Sequence, residues 1–548
     1  MNYFINDSRD ERYTYFFWVG LFVVMLLRTF YFGVTYFHFL DDYNTYGIFY
    51  RRNADIFNDI ILWYGHFTFR PVAFFADAYI TQWFWPVMWL VLLFYTIMHF
   101  ATVYLFYKVL KMSKINFGVF GVILISLTPI LFEAVYWIGA STRLVPGMFF
   151  SILSCFFLMR HLRNCDNNIY SMKNLVIYFV LNLISTGFYE QIVAFNFAFT
   201  LAIIVLNYYR FYWGFKFAVF VPFFSTIFMG LYYFVLASYG GGRVAQRGQL
   251  VELSDAGGHI IRVSGSIFNL LTNIQAQIYV NGFFRGITLI EGGFNIFIVT
   301  LVVLFSVAIF FSLHQTFLAL EDNRDHQYLL RVIIGFILAI APFMPFYILQ
   351  NSFMAPRTVY PAIFGIAIIL DTLLSRVSNN TRSLRMLKPA VSAIVIVPFF
   401  IIYIAEVNNF RLLEEVDQKL MANFLEAFEE SDLDDQVTIV LFNTRYTYAD
   451  TTTQSHRLEN ITSSDWALIG KANATSELFY FREMQPVQDG RTLPLSWARE
   501  GNGLFGIDEE LNVFWLDLRR TTLYIRGTNQ VFGTLMAYED GQLMFLRE

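Results

Sequence analysis

Unbroken apolar stretches recur from Tyr15 to Ala405, near 15-37, 85-107, 115-133, 144-160, 174-189, 190-209, 216-238, 294-318, 329-349, 358-375 and 389-405. Crossing a hydrocarbon core of about 30 Å takes roughly 20 such residues, so these windows predict about 11 transmembrane helices. An odd number puts the two termini on opposite sides of the membrane. The polar intervals differ in character. In the first, Ile56, Ile60, Ile61 and Tyr64 recur at helical spacing opposite Arg52, Asp55 and Asp59, the pattern of a helix lying along the membrane surface. Pro71 to Ile80 opens with proline at a favourable first-turn position and carries Asp77, which predicts a second interfacial or re-entrant helix. The interval from Tyr239 to about Gly293 opens on Gly240-Gly241-Gly242-Arg243 and reads as a lid or a disordered loop; no Gly-Lys-Ser/Thr follows to make it a nucleotide-phosphate loop.

After Ala405 the pattern changes. Glu406, Arg411, Glu414, Glu415, Asp417 and Lys419 open a polar helix that leaves the membrane. Short β-prone runs follow at Gln436-Phe442, Leu478-Arg482, Val513-Asp517, Thr522-Ile525 and Gln542-Leu546, separated by turn residues such as Glu539-Asp540-Gly541. The chain is therefore expected to divide into a transmembrane domain, 1-405, and a small soluble α+β domain, 406-548.

Composition strengthens the membrane reading. Over 548 residues, 57% are hydrophobic and only 15% charged, too few charges to solvate the surface of a soluble enzyme. Interfacial belts of Tyr and Trp account for an aromatic share of 20%. The net charge of -4 carries no nucleic-acid signature. Cys155, within an apolar run, and Cys165, in the polar interval after it, form neither a disulfide pattern nor a metal quartet. The first apolar run lacks a small-residue cleavage motif and reads as a retained anchor. Lys108, Lys111, Lys114, Arg160, Arg163, Lys173, Arg376, Arg382, Arg385 and Lys388 crowd the intervals that are cytoplasmic if the N-terminus is inside. The positive-inside bias then places the C-terminal region outside.

Polar residues that lipid would reject gather at the predicted outer ends of the spans: Asp41, Asp42, Glu133, Arg143, Glu190 and Arg357. Carboxylates and guanidinium groups at a lipid boundary suit transfer of a group from a lipid phosphate. An Asp takes the proton of an acceptor hydroxyl, and guanidinium forks stabilise the departing phosphate. Plainer readings exist for each. Asp41-Asp42 also fits a solvated turn that ends a helix, Glu133 and Glu190 fit interhelical hydrogen bonds, Arg70-Pro71 fits a helix start, and Arg357 fits an interfacial anchor. Arg28, inside the first run, either reaches a cavity or snorkels outward, and His66 and His99 read as hydrogen-bonded packing residues.

The order Leu40-Asp41-Asp42-Tyr43, Gly65-His66-Phe67-Thr68-Phe69-Arg70-Pro71, Glu133-Ala134-Val135-Tyr136-Trp137 and Arg357-Thr358-Val359-Tyr360-Pro361 resembles the GT-C superfamily of membrane glycosyltransferases. It looks most like the bacterial branch that includes O-antigen glucosyltransferases. The resemblance covers the membrane part and implies a polyprenyl-phosphate-linked sugar donor, such as an undecaprenyl-phosphate sugar, and a catalytic Asp in the first outer loop. It implies Asp41 or Asp42 as the base, with Asp41 preferred, Arg357 as the phosphate ligand, and Arg70 and Arg143 as further candidates; by their own placement Glu133 and Glu190 are candidate substrate contacts, and Tyr360 fits either stacking on a sugar face or an aromatic belt. No second acidic motif at metal-ligand spacing accompanies them, which speaks against a required divalent metal. The expected function is inverting glycosyl transfer to a surface glycan on the extracytoplasmic face, with the acid and guanidinium groups converging in one outward-facing pocket. A flippase for lipid-linked sugars and an O-antigen ligase or polymerase are the competing readings.

Overall fold

The computed structural model describes residues 8–51, 70–166, 171–208, 215–239, 249–252, 254–292, 295–319, 327–350, 354–380, 386–448, 459–476, 478–494, 502–538 and 541–547. The surface helix expected around Asp55–Tyr64, the Gly65–Phe69 part of the second motif and the Gly240–Gly242 opening lie outside them. The chain forms two compact units. One comprises Met1–Thr35, Phe57–Ala76 and Met88–Val407, the other Tyr36–Ile56, Asp77–Val87 and Asn408–Glu548. Both ends of the first polar interval thus group with the C-terminal region.

The first unit is helical, and a helix occupies each predicted apolar window. Among the described residues, five helical segments are long and apolar enough to cross a membrane: Thr81–Met112, Ile138–Asn164, Lys216–Val235, Tyr328–Ile348 and Leu387–Glu429. In the last of these the apolar portion ends at Ala405, and the helix continues as a polar rod to Glu429. Shorter apolar stretches of helix lie at Tyr15–Thr29, Met172–Thr186, Glu190–Leu206 and Ile296–Phe311. The 115-133 window is broken: its helix, Val119–Leu127, stops where Thr128 turns into Pro129.

Two features set the packing of this unit. The Tyr328–Ile340 and Ile363–Asn380 helices meet at glycines, where a Cβ on Gly335 would come within 2.7 Å of Ile369 and a Cβ on Gly365 would strike the Ala339 backbone. Small residues at such a seam allow the close approach that replaces a hydrophobic driving force in lipid. Buried polar side chains also bridge helices, with Ser151 Oγ donating to Asn196 Oδ1 at 2.9 Å and Asn182 Nδ2 to the same oxygen at 3.2 Å. Cys155 is buried beside this network.

The predicted lid is not a loop. Ala256–Asn269 and Gln275–Glu291 are helices joined by a π-helical turn, Leu270–Ile274. His259, Val263 and Ile278 face inward, while Ile261, Phe268 and Phe284 face out. Glycines at the mouth of the interval concealed this two-sided helical pattern.

The second unit holds an eight-stranded sheet: β1 (Ile439–Thr444), β2 (Met484–Gln488), β3 (Thr492–Pro494), β4 (Gly503–Ile507), β5 (Val513–Arg519), β6 (Thr522–Ile525), β7 (Val531–Ala537) and β8 (Gln542–Arg547). Their order is β2-β1-β4-β5-β6-β7-β8-β3, with β1 parallel to both neighbours and the rest antiparallel. All of β1 is buried, which explains its continuous apolar run. The Asp465–Thr475 helix makes the β1-to-β2 crossover that a parallel pair requires. One face of the sheet packs Phe505 and Ile439 against Phe424 and Phe428 of the long helix, and the other packs Phe442 on Phe532 and Phe545.

The expected strand at Leu478–Arg482 is instead coil, clasped by Asn473. Its Nδ2 donates to Phe481 O at 2.9 Å, and its Oδ1 accepts from Phe481 N at 2.8 Å. That clasp gives the backbone a partner outside any sheet ladder.

Candidate functional site

Five of the six sequence candidates in the first unit meet or neighbour one another. Arg70, just before the Pro71–Tyr79 helix, reaches Glu190 at the start of the Glu190–Leu206 helix. Its Nε donates to the carboxylate at 3.2 Å and Nη2 at 3.0 Å, and its guanidinium lies 4.0 Å from the centre of the Tyr189 ring. Arg357, in the Pro356–Val359 turn, donates through Nη1 to Glu133 Oε2 at 3.2 Å and covers the Trp137 ring at 4.9 Å. Gln191 ties the two pairs together, its Nε2 donating to Thr358 O at 2.9 Å. Arg143 sits in the second turn of the Ile138–Asp166 helix, which packs on the Phe132–Val135 turn that carries Glu133.

These contacts revise the phosphate-ligand reading. Arg70 and Arg357 are already neutralised by carboxylates, so neither offers a vacant fork until its pair opens. Arg143 is half-buried and makes no ion pair among the described residues, which leaves it the better placed of the three. Tyr360 is corrected outright as a substrate contact: it is fully buried, and its hydroxyl lies 2.8 Å from His99 Nδ1. His99 is thereby the packing residue expected of it.

Arg28 does not snorkel, and it pairs with no acid among the described residues. It is 1% exposed, stacks 4.2 Å from the Tyr403 ring centre, and leaves Nε and Nη1 without hydrogen-bond partners. Two buried ion pairs escaped sequence reading, Arg285 with Glu406 at 2.6 Å and Lys388 with Asp371 at 2.9 Å. Asp371 also accepts from Gly118 N at 2.9 Å, capping the Val119–Leu127 helix.

Asp41 and Asp42 belong to the second unit. There Leu40 takes a left-handed φ of 30°, a conformation that costs a branched residue roughly 1–3 kcal/mol, and the chain then turns into a helix that runs through Tyr43–Gly47 to Arg51. Asp42 holds this turn. It is fully buried, and its Oδ2 accepts from Tyr36 OH at 2.5 Å and from Phe39 N at 2.9 Å. Asp41 is half-buried and has no hydrogen-bond or ion-pair partner among the described residues. The two acids thus differ in kind: one is a structural acceptor, the other an available carboxylate. Asp42→Ala should destabilise the unit by about 2–4 kcal/mol, since it loses two charge-assisted bonds of about 1.5–3 kcal/mol each, partly offset by the removed cost of burying the carboxylate. A thermal-unfolding comparison of the full-length proteins in detergent checks it.

Asp77, expected at an interface, is buried in the same unit and accepts from Tyr46 OH at 2.8 Å. Around the loop lie groups that the sequence did not single out. His38 Nδ1 is 2.7 Å from Glu414 Oε1, and the Lys471 ammonium sits 4.1 Å from the centre of the Tyr43 ring. Asp417 Oδ1 accepts from Asn460 Nδ2 at 2.8 Å and from Ile461 N at 3.2 Å. Burial pushes the Asp417 carboxyl up to about 7, against the opposing pull of Asn460 and Lys471, and burial lowers the pKa of Lys471. Their wide separation in the sequence hid this cluster. Among the described residues no group of acids, histidines and cysteines could hold a metal ion. No protein-family model, curated protein or solved structure matches this chain.

Proposed function

We propose that this membrane protein is an inverting glycosyltransferase that moves a sugar from a polyprenyl-phosphate donor to a surface glycan on the extracytoplasmic face. The observation that carries the reading is Asp41: a half-buried carboxylate at the start of a helix, with no hydrogen-bond or ion-pair partner among the described residues, held by a strained residue before it and a buried acid after it. Strained backbone clusters at active sites and ligand clamps, and an available carboxylate beside it can serve as a base.

In this mechanism Asp41 takes the proton of the acceptor hydroxyl as its oxygen attacks the anomeric carbon. The bond from that carbon to the phosphate oxygen breaks, and the lipid phosphate leaves with the electron pair. One displacement inverts the anomeric centre. A guanidinium stabilises the phosphate as its charge develops. Among the three candidates in the first unit, Arg143 is the guanidinium that can take a phosphate without an ion pair opening, and Arg357 and Arg70 can do so only if Glu133 and Glu190 release them.

Arg143→Ala is expected to weaken binding of a polyprenyl-phosphate sugar at least tenfold, as loss of a charge-assisted fork implies. Arg143→Lys should restore part of it. Native mass spectrometry of the detergent-solubilised protein reads both, and unchanged affinity in Arg143→Ala removes the residue from the site.

A further inference from the structure

The cluster of His38, Glu414, Tyr43, Lys471 and Asp417 lies within the second unit and joins three stretches far apart in sequence. His38 and Tyr43 flank the Asp41-Asp42 turn, Glu414 and Asp417 lie one turn apart on the Ile396–Glu429 helix, and Lys471 lies on the Asp465–Thr475 helix. The contacts run in both directions. His38 bonds Glu414, Tyr43 lies under Lys471, and Tyr43 OH donates to His38 O at 3.4 Å. The crossover helix also presses on the turn through small residues. A Cβ on Gly47 would come within 2.6 Å of Ala474, and one on Gly470 within 3.2 Å of Asn44. Trp85 closes the side of the cluster, its ring 4.4 Å from that of His38.

One atom in this arrangement stands out. Asp417 is 1% exposed, and its Oδ2 has no hydrogen-bond partner. A carboxylate in that setting is costly when ionised, and an apolar or amide side chain would be cheaper. Lys471 is 4% exposed and sits against the Tyr43 ring. The groups facing Asp417 are Lys471, Glu414, Tyr43 and Tyr448, with Arg445 beyond Tyr448 and His38 beyond Glu414.

We infer that Asp417 and Lys471 are positioning residues for the Asp41 turn, and that the proton on Asp417 sets how firmly the turn is held. With Asp417 neutral, the Lys471 ammonium rests on the Tyr43 ring and the turn is clamped. When Asp417 ionises, its free oxygen attracts the ammonium, the cation–π contact weakens, and the segment from His38 to Ile48 loosens. The role of Asp41 as base rests on the glycosyltransferase reading; the clamp does not.

The test is hydrogen–deuterium exchange of the full-length protein in detergent from pH 5.5 to 8.5, corrected for intrinsic exchange rates. Peptides covering residues 38–48 are compared with a control in the Ile138–Asp166 helix. The parent should lose roughly tenfold protection in 38–48 as the pH rises through 7, with the control unchanged, and Asp417→Asn should show no such slope. Lys471→Met, which removes the clamp itself, should exchange quickly at every pH. Equal slopes in the parent and Asp417→Asn, or parent-like protection in Lys471→Met, would overturn the proposal. If Asp417→Asn does not fold, Lys471→Met and the slope of the parent decide. Because exchange is read without substrate, absence of sugar transfer leaves this result intact, and a failed clamp leaves the transfer reading standing.

Discussion

Asp41→Asn is expected to lower the rate of sugar transfer by about 10²–10⁴-fold, the usual contribution of a positioned general base. Asparagine keeps the size and most of the polarity of the side chain but cannot accept the acceptor's proton. Asp41 makes no hydrogen bond or ion pair among the described residues, so its replacement removes no structural contact. The thermal stability of the variant should match the parent within about 0.5 kcal/mol, as for a surface substitution. Asp42→Asn is the contrasting control. Its fully buried oxygen accepts two hydrogen bonds, so that variant should lose stability as well as activity. Steady-state transfer from a synthetic polyprenyl-phosphate sugar, measured beside thermal unfolding, separates the two acids. A rate loss in Asp42→Asn with none in Asp41→Asn would reverse the assignment.

The largest stability effect is expected at Asp417, and its sign is opposite to that of an ordinary salt-bridged acid. The carboxyl is held up to about 7, against 3.8 for an unperturbed aspartate, because it is buried. Between these values the folded protein keeps a proton that the unfolded chain has released, so folding is favoured toward acid pH. The stability is fully present below about 4 and falls as pH rises to about 7, by on the order of 4 kcal/mol in all. Lys471 works in the opposite sense. Burial lowers its pKa, so the stability it costs is returned as pH rises through its folded value.

Asp417→Asn should flatten the acid-to-neutral part of this dependence. The amide oxygen can still accept from Asn460 and Ile461, so at pH 8 the variant should be at least as stable as the parent. Unfolding midpoints of both proteins at pH 5 and pH 8 check the direction, and a variant that keeps the parent's pH slope would contradict it.

The legible and illegible parts of this chain follow from how far apart the deciding residues are. Apolar length is a local property, and a helix formed at every window read from it, including Met88–Met112 and Ile138–Asp166. Strands with alternating or continuous β-branched and aromatic residues were equally legible, as at Thr522–Ile525. β4 was not, because Gly503 and Gly506 lower its strand signal. Gly506 is there for a tertiary reason, since the Phe532 ring occupies the space where a Cβ would stand.

At the candidate site, the residue types were visible but not their pairing. Asp41 and Asp42 are indistinguishable in a sequence, yet one hydrogen bond from Tyr36 and one from Phe39 give them separate roles. Arg357 and Arg70 looked like free cations because their acids lie 224 and 120 positions away. The Asp417 cluster depends on residues from 38 to 471 and left no local trace.

The measurement that bears most directly on the account is a single-turnover reaction of the purified full-length protein with a radiolabelled polyprenyl-phosphate sugar and a glycan acceptor. The expected result is a glycoside of inverted configuration and free polyprenyl phosphate from the parent. Asp41→Asn should yield neither, while binding the donor within about twofold of the parent, since a base acts on the transition state more than on ground-state binding. Transfer at the parental rate by Asp41→Asn, or donor bound by the parent with no sugar transferred, would contradict it.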